Sequence, residues 1–274
     1  MSKGNGKGTA VVTGASSGIG AIYADRLAKR GYDLILVARN ETRLAALARR
    51  LRDETGREIR TIAADLGDPE GVARIETLLK TDGTITLLVN NAGFGGASPL
   101  LESDIEKMDA MIRLNVGALT RLTYAAVPGF VARGGGTVVN IASIVALAPE
   151  LLNGVYGGTK AFVLAFSQSL HHELADKGIR VQAVLPGAIA TEFWDIAGMP
   201  VEHLPAAMVM TVDDLVDAAL AGLDRGEIVT IPSLPDQAEW NAYDAARRAM
   251  SPKLSRTNPA ERYGVRPSNQ GDLR

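Results

Sequence analysis

"VVTGASSGIGAIYADRLAKRG", residues 11–31, runs from an apolar strand through a glycine-punctuated turn into a helix. Glycines at 14, 18 and 20 let backbone N–H groups approach a phosphate, and the helix N-terminus adds partial positive charge at the same place. A glycine turn also serves tight strand-to-helix packing, so its meaning depends on where it lies. Here it follows the first strand, and open parallel sheets bind ligands beyond the carboxyl ends of their strands.

Outward from that turn, short apolar runs alternate with longer helical patterns. "TAVVTG" (9–14), "DLILVA" (33–38), "IRTIAA" (59–64), "ITLLVN" (85–90), "GTVVNIAS" (136–143), "RVQAVLPG" (180–187) and "EIVTIP" (227–232) read as seven strands. They are mostly apolar throughout, as strands covered on both faces are, and the helical stretches between them imply parallel crossovers. The spacing predicts helices over about 18–30, 41–55, 69–80, 103–133 (broken or double), 155–177 and 212–224, with Gly56 stopping the second. The fold class is therefore α/β: a doubly wound, seven-stranded parallel sheet flanked by helices, in a single domain. From Ser251 the chain turns polar and rich in proline and arginine. That contrast sets a domain over 1–250 and a C-terminal tail over 251–274, either draped on the surface or used as an arm.

Composition narrows the function. The 274 residues carry 29 basic and 31 acidic side chains for a formal net charge of −2, which gives no reason to expect nucleic acid or an anionic membrane as partner. Without cysteine, thiolate catalysis, disulfides and cysteine-ligated zinc are excluded. His171 and His172 are adjacent on a helix and point in different directions, so with His203 they make no expected metal site. The N-terminus lacks the apolar core of a secretory signal and no segment approaches the roughly 20 apolar residues of a membrane span, so a cytoplasmic location is expected.

"TGASSGIG" (13–20) has the T-G-x-x-x-G-x-G spacing of the short-chain dehydrogenase/reductase family. "NNAG" (90–93), Asn115, Ser143, "YGGTK" (156–160) and "PGAIAT" (186–191) follow in the family's order and spacing. Over about residues 9–195 the chain thus resembles a single-domain, NADP-preferring bacterial member, which implies a Rossmann-type fold and a nicotinamide cofactor.

After the second strand, Arg39 stands where an acid would read the ribose 2′-hydroxyl of NAD. Arginine suits the 2′-phosphate of NADP(H), with Ser16 or Ser17 as hydroxyl donors; the alternative is that Arg39 simply opens a charged helix. Arg43 either assists or is solvated. By resemblance, Gly14, Gly18, Ile19 and Gly20 cradle the dinucleotide, Asp65 contacts the adenine amino group and Leu66 lends a backbone amide. Asn91, Ala92 and Gly93 line the dinucleotide, Asn90 supports the sheet, and Pro186, Gly187, Ile189 and Thr191 take the nicotinamide end. Asp65 can also simply cap the turn that follows it.

Tyr156 and Lys160 lie four apart, on one helix face. A phenol titrates near pH 10 unless a cation stabilises the phenolate, so Lys160 is expected to bring Tyr156 toward the working pH of a general acid/base. By resemblance Lys160 also binds the nicotinamide ribose, Ser143 polarises the substrate oxygen, and Asn115 holds a water linking Lys160 to solvent. Taken alone, the Tyr–Lys pair reads as a surface pair and Asn115 as a local kink. Gly157 and Gly158, where the family more often has alanine and serine, each weaken the helix by up to about 1 kcal/mol. No G-x-S-x-G elbow supports a serine hydrolase.

Beyond Thr191 a substrate lid is expected over about 192–212, where "FWDIAGMPVEHLPAAM" (193–208) offers Phe193, Trp194, Ile196, Met199, Leu204 and Met208 to close over an apolar ketone, or as ordinary packing. Val145, Leu147 and Leu152 add apolar wall. The expected function is reversible, NADPH-dependent reduction of a ketone or aldehyde to an alcohol, with a non-catalytic dinucleotide sensor as the alternative. The helix from 155 resembles the family's dimer-forming helix, so a homodimer or homotetramer is expected.

Overall fold

The computed structural model describes residues 7–191 and 204–265. The strands are β1 (Thr9–Thr13), β2 (Asp33–Ala38), β3 (Ile59–Ala63), β4 (Ile85–Asn90), β5 (Gly136–Ile141), β6 (Ile179–Val184), β7 (Ala188–Ile189), β8 (Val209–Met210) and β9 (Val229–Thr230). β7 and β8 pair as a small ribbon; the other seven form one sheet in the order β3-β2-β1-β4-β5-β6-β9. Every pairing in it is parallel, as the helix-separated apolar runs require. The chain steps outward from β1 to β3, then returns to place β4 on the other side of β1. The crevice between the carboxyl ends of β1 and β4 is the switch point at which such sheets bind ligands.

Helices α1 (Gly18–Lys29), α2 (Glu41–Thr55), α3 (Pro69–Thr81), α4 (Ile105–Ile112), α5 (Leu119–Ala132), α6 (Gly154–Leu174) and α7 (Val212–Asp224) cover the sheet. One face is sealed by side chains such as Tyr23, Leu27, Leu44, Leu51 and Leu220, the other by Ile75, Leu79, Leu122, Phe130 and Leu170. Helix ends follow local chemistry: the Asn40 side chain accepts from the Arg43 amide at 2.9 Å to open α2, and Gly56, at φ 66°, closes it. Charge pins α1 against its neighbours. Arg26 reaches Asp213 at 2.6 Å and Asp217 at 2.8 Å on α7. Burial works to raise the Asp25 carboxyl, but hydrogen bonds from Lys29, Arg26 and Arg50 outweigh it and hold it below its ordinary value.

Two elements differ from the sequence reading. β3 is an edge strand, with Arg60 and Thr61 exposed, so it is covered less fully than the central strands. Only Val229 and Thr230 of "EIVTIP" pair in the sheet. The stretch expected as a broken or double helix is α4 and α5, joined by a π-helical turn over Arg113–Ala118, a wide turn that recurs at functional sites.

The contacts divide the chain into two units, ending and beginning at Ser233 and Leu234. In the second, α8 (Gln237–Met250) was not anticipated; its N-terminus is capped by Asp236, which accepts from the Ala238 amide at 2.8 Å. Asp244 pairs with Arg247 and Arg248, both at 2.7 Å. Among the described residues no helix is long and apolar enough to cross a membrane.

Candidate active site

The glycine turn is built to a tolerance that side chains would break. Gly14 and Gly18 have φ of 64° and 53°. A Cβ on Gly20 would fall 2.3 Å from the Gly14 carbonyl oxygen, and one on Gly14 2.8 Å from Asn91 Nδ2. The "NNAG" segment holds the turn from beneath. Asn91 Nδ2 donates to the carbonyls of Thr13 (2.9 Å) and Gly14 (3.2 Å), while Thr13 Oγ1 accepts from the amides of Asn91 (2.9 Å) and Ala92 (3.0 Å). Thr13 was not singled out in the sequence, although it is the first residue of the motif. Asn90 serves the sheet: its Nδ2 donates to Thr123 and Asn140 at 3.0 and 2.9 Å. Ser17 opens α1 without spending its hydroxyl on the cap, and the helix has no acidic residue in its first turn, so this end keeps its positive polarity.

Arg39 and Asp65 stand at the carboxyl ends of β2 and β3, farther along the same edge. Their side chains are 77% and 52% exposed and 4.0 Å apart. Asp65 also accepts from the Gly67 amide at 2.8 Å, so it caps the turn that follows it. Leu66 is buried in the core beside it.

Four polar side chains gather at the other end. Ser143 lies two residues beyond β5; its hydroxyl donates to the Pro186 carbonyl at 3.4 Å and accepts from the Val145 amide at 3.4 Å. Tyr156 is buried in the first turns of α6, and Ser143 hydrogen-bonds its hydroxyl. Lys160 Nζ donates to the Ile141 carbonyl at 2.9 Å and lies 5.8 Å from the centroid of the Tyr156 ring. Asn115 sits in the π-helical turn, where its Oδ1 accepts from the Phe94 amide at 3.1 Å. Its Nδ2 donates to the Phe94 carbonyl at 2.9 Å and to Thr159 Oγ1 at 3.2 Å. The side chain is thus a clamp on the loop after β4, a role that its sequence position did not reveal.

The ionisation of the pair differs from expectation. Burial pushes the Tyr156 phenol up to about 12, against a smaller lowering by the Ser143 hydrogen bond. Burial also lowers Lys160 from 10.5 to about 8. Desolvation outweighs the attraction expected between lysine and phenolate, because both groups are withdrawn from water together.

A cavity of about 360 Å³ joins the glycine turn to the reactive side chains. It is lined by Gly14, Ser17, Gly18, Ile19 and residues 91–93, and by Pro186, Gly187, Ile189 and Thr191. Ser143, Tyr156 and Lys160 line it too, with the apolar Val145 and Leu152. Phe94, Ile144 and Leu151 also face it, as do Leu204 and Met208 from the lid stretch. Leu147 does not line it, a correction to the sequence reading: its amide closes the Ile144–Ala146 turn onto the Ile144 carbonyl at 2.9 Å, leaving Ile144 and Val145 as the residues of this stretch that face the cavity. Phe193, Trp194, Ile196 and Met199 lie outside the described residues. Ser16 and Gly20 back the glycine turn without lining the cavity.

A family model described as short chain dehydrogenase matches residues 8–198. The very-long-chain 3-oxoacyl-CoA reductase of Rattus norvegicus is 39% identical over 187 residues, covering 67% of this chain and 60% of the relative. The chain therefore spans about 60% of the length of that curated relative. Two solved structures match at nearly full length. A short-chain dehydrogenase from Sphingobium yanoikuyae in complex with NADPH is 50% identical with a TM-score of 0.91, over 93% of this chain and 99% of that one. A bulky-bulky ketone specific alcohol dehydrogenase from Comamonas testosteroni is 46% identical with a TM-score of 0.87, over 94% and 99%.

Proposed function

Because this chain belongs to the short-chain dehydrogenase/reductase family, we propose that it is an NADPH-dependent carbonyl reductase acting on a bulky, apolar, uncharged ketone or aldehyde. The observation that carries the reading is one cavity lined jointly by the glycine cradle, by Ser143, Tyr156 and Lys160, and by apolar side chains.

The residues fit the dinucleotide. Positive φ at Gly14 and Gly18, and the absence of room for a Cβ on Gly20, keep backbone amides accessible at the start of α1 for a pyrophosphate. Arg39, exposed at the end of β2, is placed to pair with a 2′-phosphate by charge-assisted hydrogen bonds. When bound, the reduced nicotinamide supplies a hydride to the carbonyl carbon. Ser143 donates to the carbonyl oxygen and orients it, and Tyr156 delivers its phenolic proton to that oxygen as charge develops there. A phenol held up at about 12 is fully protonated near neutrality, the form that reduction needs. Alcohol oxidation needs the phenolate and is expected to quicken as pH rises. Lys160 returns the proton and, as an ammonium close to the ring, favours the transient phenolate.

Substrate class follows from the wall. Apart from Lys160 the described lining carries no formal charge, and Phe94, Ile144, Val145, Leu151 and Leu152 favour hydrocarbon on the carbonyl's substituents. The ketone specificity named for the Comamonas relative supports this; the thioester named for the rat relative is the competing arm of the substrate panel. Exposed Tyr124 on α5 stacks on Phe166 of α6 at 6.4 Å, and Phe166 on half-exposed Phe162 at 5.6 Å. This aromatic face supports a homodimer or homotetramer.

The test follows NADPH oxidation against aromatic ketones, diketones, steroids and 3-oxoacyl thioesters. Tyr156→Phe is expected to lose roughly 10²- to 10⁴-fold in kcat with NADPH binding intact. Turnover undiminished in that variant, or none by the wild type with any carbonyl, overturns the reading.

A further inference from the structure

We propose that Asn153 is a positioning residue that locks the substrate-side loop to the helix carrying Tyr156, so that one side chain sets both the proton donor and the wall facing it. The proposal rests on the reductase reading for its kinetic arm alone.

Asn153 is buried, 5% exposed, immediately before α6. Its two side-chain ends do different work. Oδ1 accepts from the amides of Val155 at 2.8 Å and of Tyr156 itself at 3.3 Å, satisfying two of the donors that a helix N-terminus leaves open. Nδ2 points the other way and donates to the Ser98 carbonyl at 2.7 Å and to Ser103 Oγ at 3.0 Å. Ser103 Oγ in turn donates to the carbonyls of Ser98 and Pro99 at 3.1 and 2.8 Å. A backbone bond from the Asn153 amide to the Gly96 carbonyl, 3.3 Å, completes the seam.

The loop so held is the one whose start, Phe94, lines the cavity and is clamped from below by Asn115. Its outer part has no such anchor: Leu100 and Leu101 are 84% and 94% exposed, so apolar burial does not fix it there. Beneath it, Gly96 would place a Cβ 3.4 Å from the Met111 methyl. Met108 and Met111 pack with Val145 and Tyr156 into a small cluster that also takes in Phe94 and Leu152. Methionines repack readily, so this wall needs a polar fixture to keep one shape, and Asn153 is the residue that joins its two sides.

Because the cap needs only an acceptor and the seam needs a donor, aspartate separates them. Asn153→Asp keeps the helix cap and turns the Nδ2 donor into a carboxylate facing the Ser98 carbonyl. Two measurements on the full-length protein decide the proposal. By hydrogen–deuterium exchange of the free protein, Asn153→Asp is expected to speed exchange in residues 94–104 while α6 stays as protected as in wild type. With NADPH and the best ketone of the panel, KM for the ketone is expected to rise roughly tenfold, the order of the buried hydrogen bonding lost at Nδ2, with kcat and NADPH binding within about twofold. Asn153→Ala, losing both ends, is expected to lower kcat as well, and Asn153→Ser to recover that kcat by restoring a cap. Unchanged loop exchange in Asn153→Asp overturns the proposal, as does a fall in kcat equal to the rise in KM, or exchange that quickens throughout α6. If the wild type turns over no carbonyl, the reductase reading fails, and the exchange result still decides for or against the seam.

Discussion

Gly158→Ala and Gly157→Ala, one residue apart in α6, are expected to move stability in opposite directions. Gly158 is exposed and a Cβ there meets nothing within 4 Å. Replacing an interior helical glycine by alanine contributes about 1 kcal/mol, which at this chain length raises Tm by about 2–4 °C. Gly157 is buried, and its Cβ would sit 3.1 Å from Pro149 Cβ, 3.3 Å from its Cα and 3.4 Å from its carbonyl oxygen. The same propensity gain is then set against an overpacking cost of about 1–3 kcal/mol, for a net change between zero and about 2 kcal/mol destabilising. Because Pro149 opens the turn Pro149–Leu151, and Leu151 lines the cavity, Gly157→Ala is also expected to raise KM for the ketone, while Gly158→Ala leaves it unchanged. Thermal unfolding followed by circular dichroism, with steady-state kinetics on both variants, is the assay. Equal stabilisation by both refutes the packing of α6 against Pro149. A destabilised Gly158→Ala refutes the open face at that position and points to its being covered in the assembled protein.

Arg39→Ala is expected to raise KM for NADPH roughly 10- to 100-fold, the worth of a hydrogen-bonded charge pair, and to leave KM for NADH unchanged; equal effects on both cofactors refute the 2′-phosphate role. The pH dependence of stability has a defined sign at Lys160. Its folded value near 8 lies below the ordinary 10.5, so between those limits the unfolded chain binds more protons and stability rises with pH, by at most about 3 kcal/mol. Tyr156, raised from 10.0 to about 12, acts oppositely: its contribution is complete below about pH 10 and is lost as pH climbs through 12. Chemical denaturation of the free protein at pH 7.5 and 9.5 is expected to show the gain, and Lys160→Met to lack it; a wild type flat over that range refutes the buried ammonium. Phe166→Glu is expected to dissociate the oligomer, and a monomeric wild type by light scattering removes that claim.

The sheet was legible because its strands are unbroken apolar runs: Ala10, Val11 and Val12 are all fully buried, as only a strand covered on both faces would be. Ends were less legible. Val229 and Thr230 pair while their flanks do not, since a strand's length depends on its partner. α8 escaped notice because Trp240 is its only buried residue, too little for an apolar stripe to declare a period. In the site, Tyr156 and Lys160 were found through their helical spacing and Ser143 through the order of the family's motifs. The clamp on Phe94, the seam at Ser98 and Ser103, and the methionine wall were not, because each joins segments far apart in the chain. The ionisation of Tyr156 was misjudged for a related reason: spacing gives the distance to a lysine but not how much water both lose.

The wide turn over Arg113–Ala118 has a consequence for insertions and deletions. A turn holding one extra residue is a phase shift of roughly 100° between the helices it joins. It lets Ile105–Ile112 aim Met108 and Met111 at the cavity wall, while Leu119–Ala132 lays Leu122, Ala126 and Phe130 on the sheet. A substitution there acts through that side chain's own contacts, as at Asn115 with its bonds to Phe94 and Thr159. Removing a single residue would straighten the helix and rotate one of those two faces away from its target, so the length of the turn matters to the site as well as the identity of Asn115.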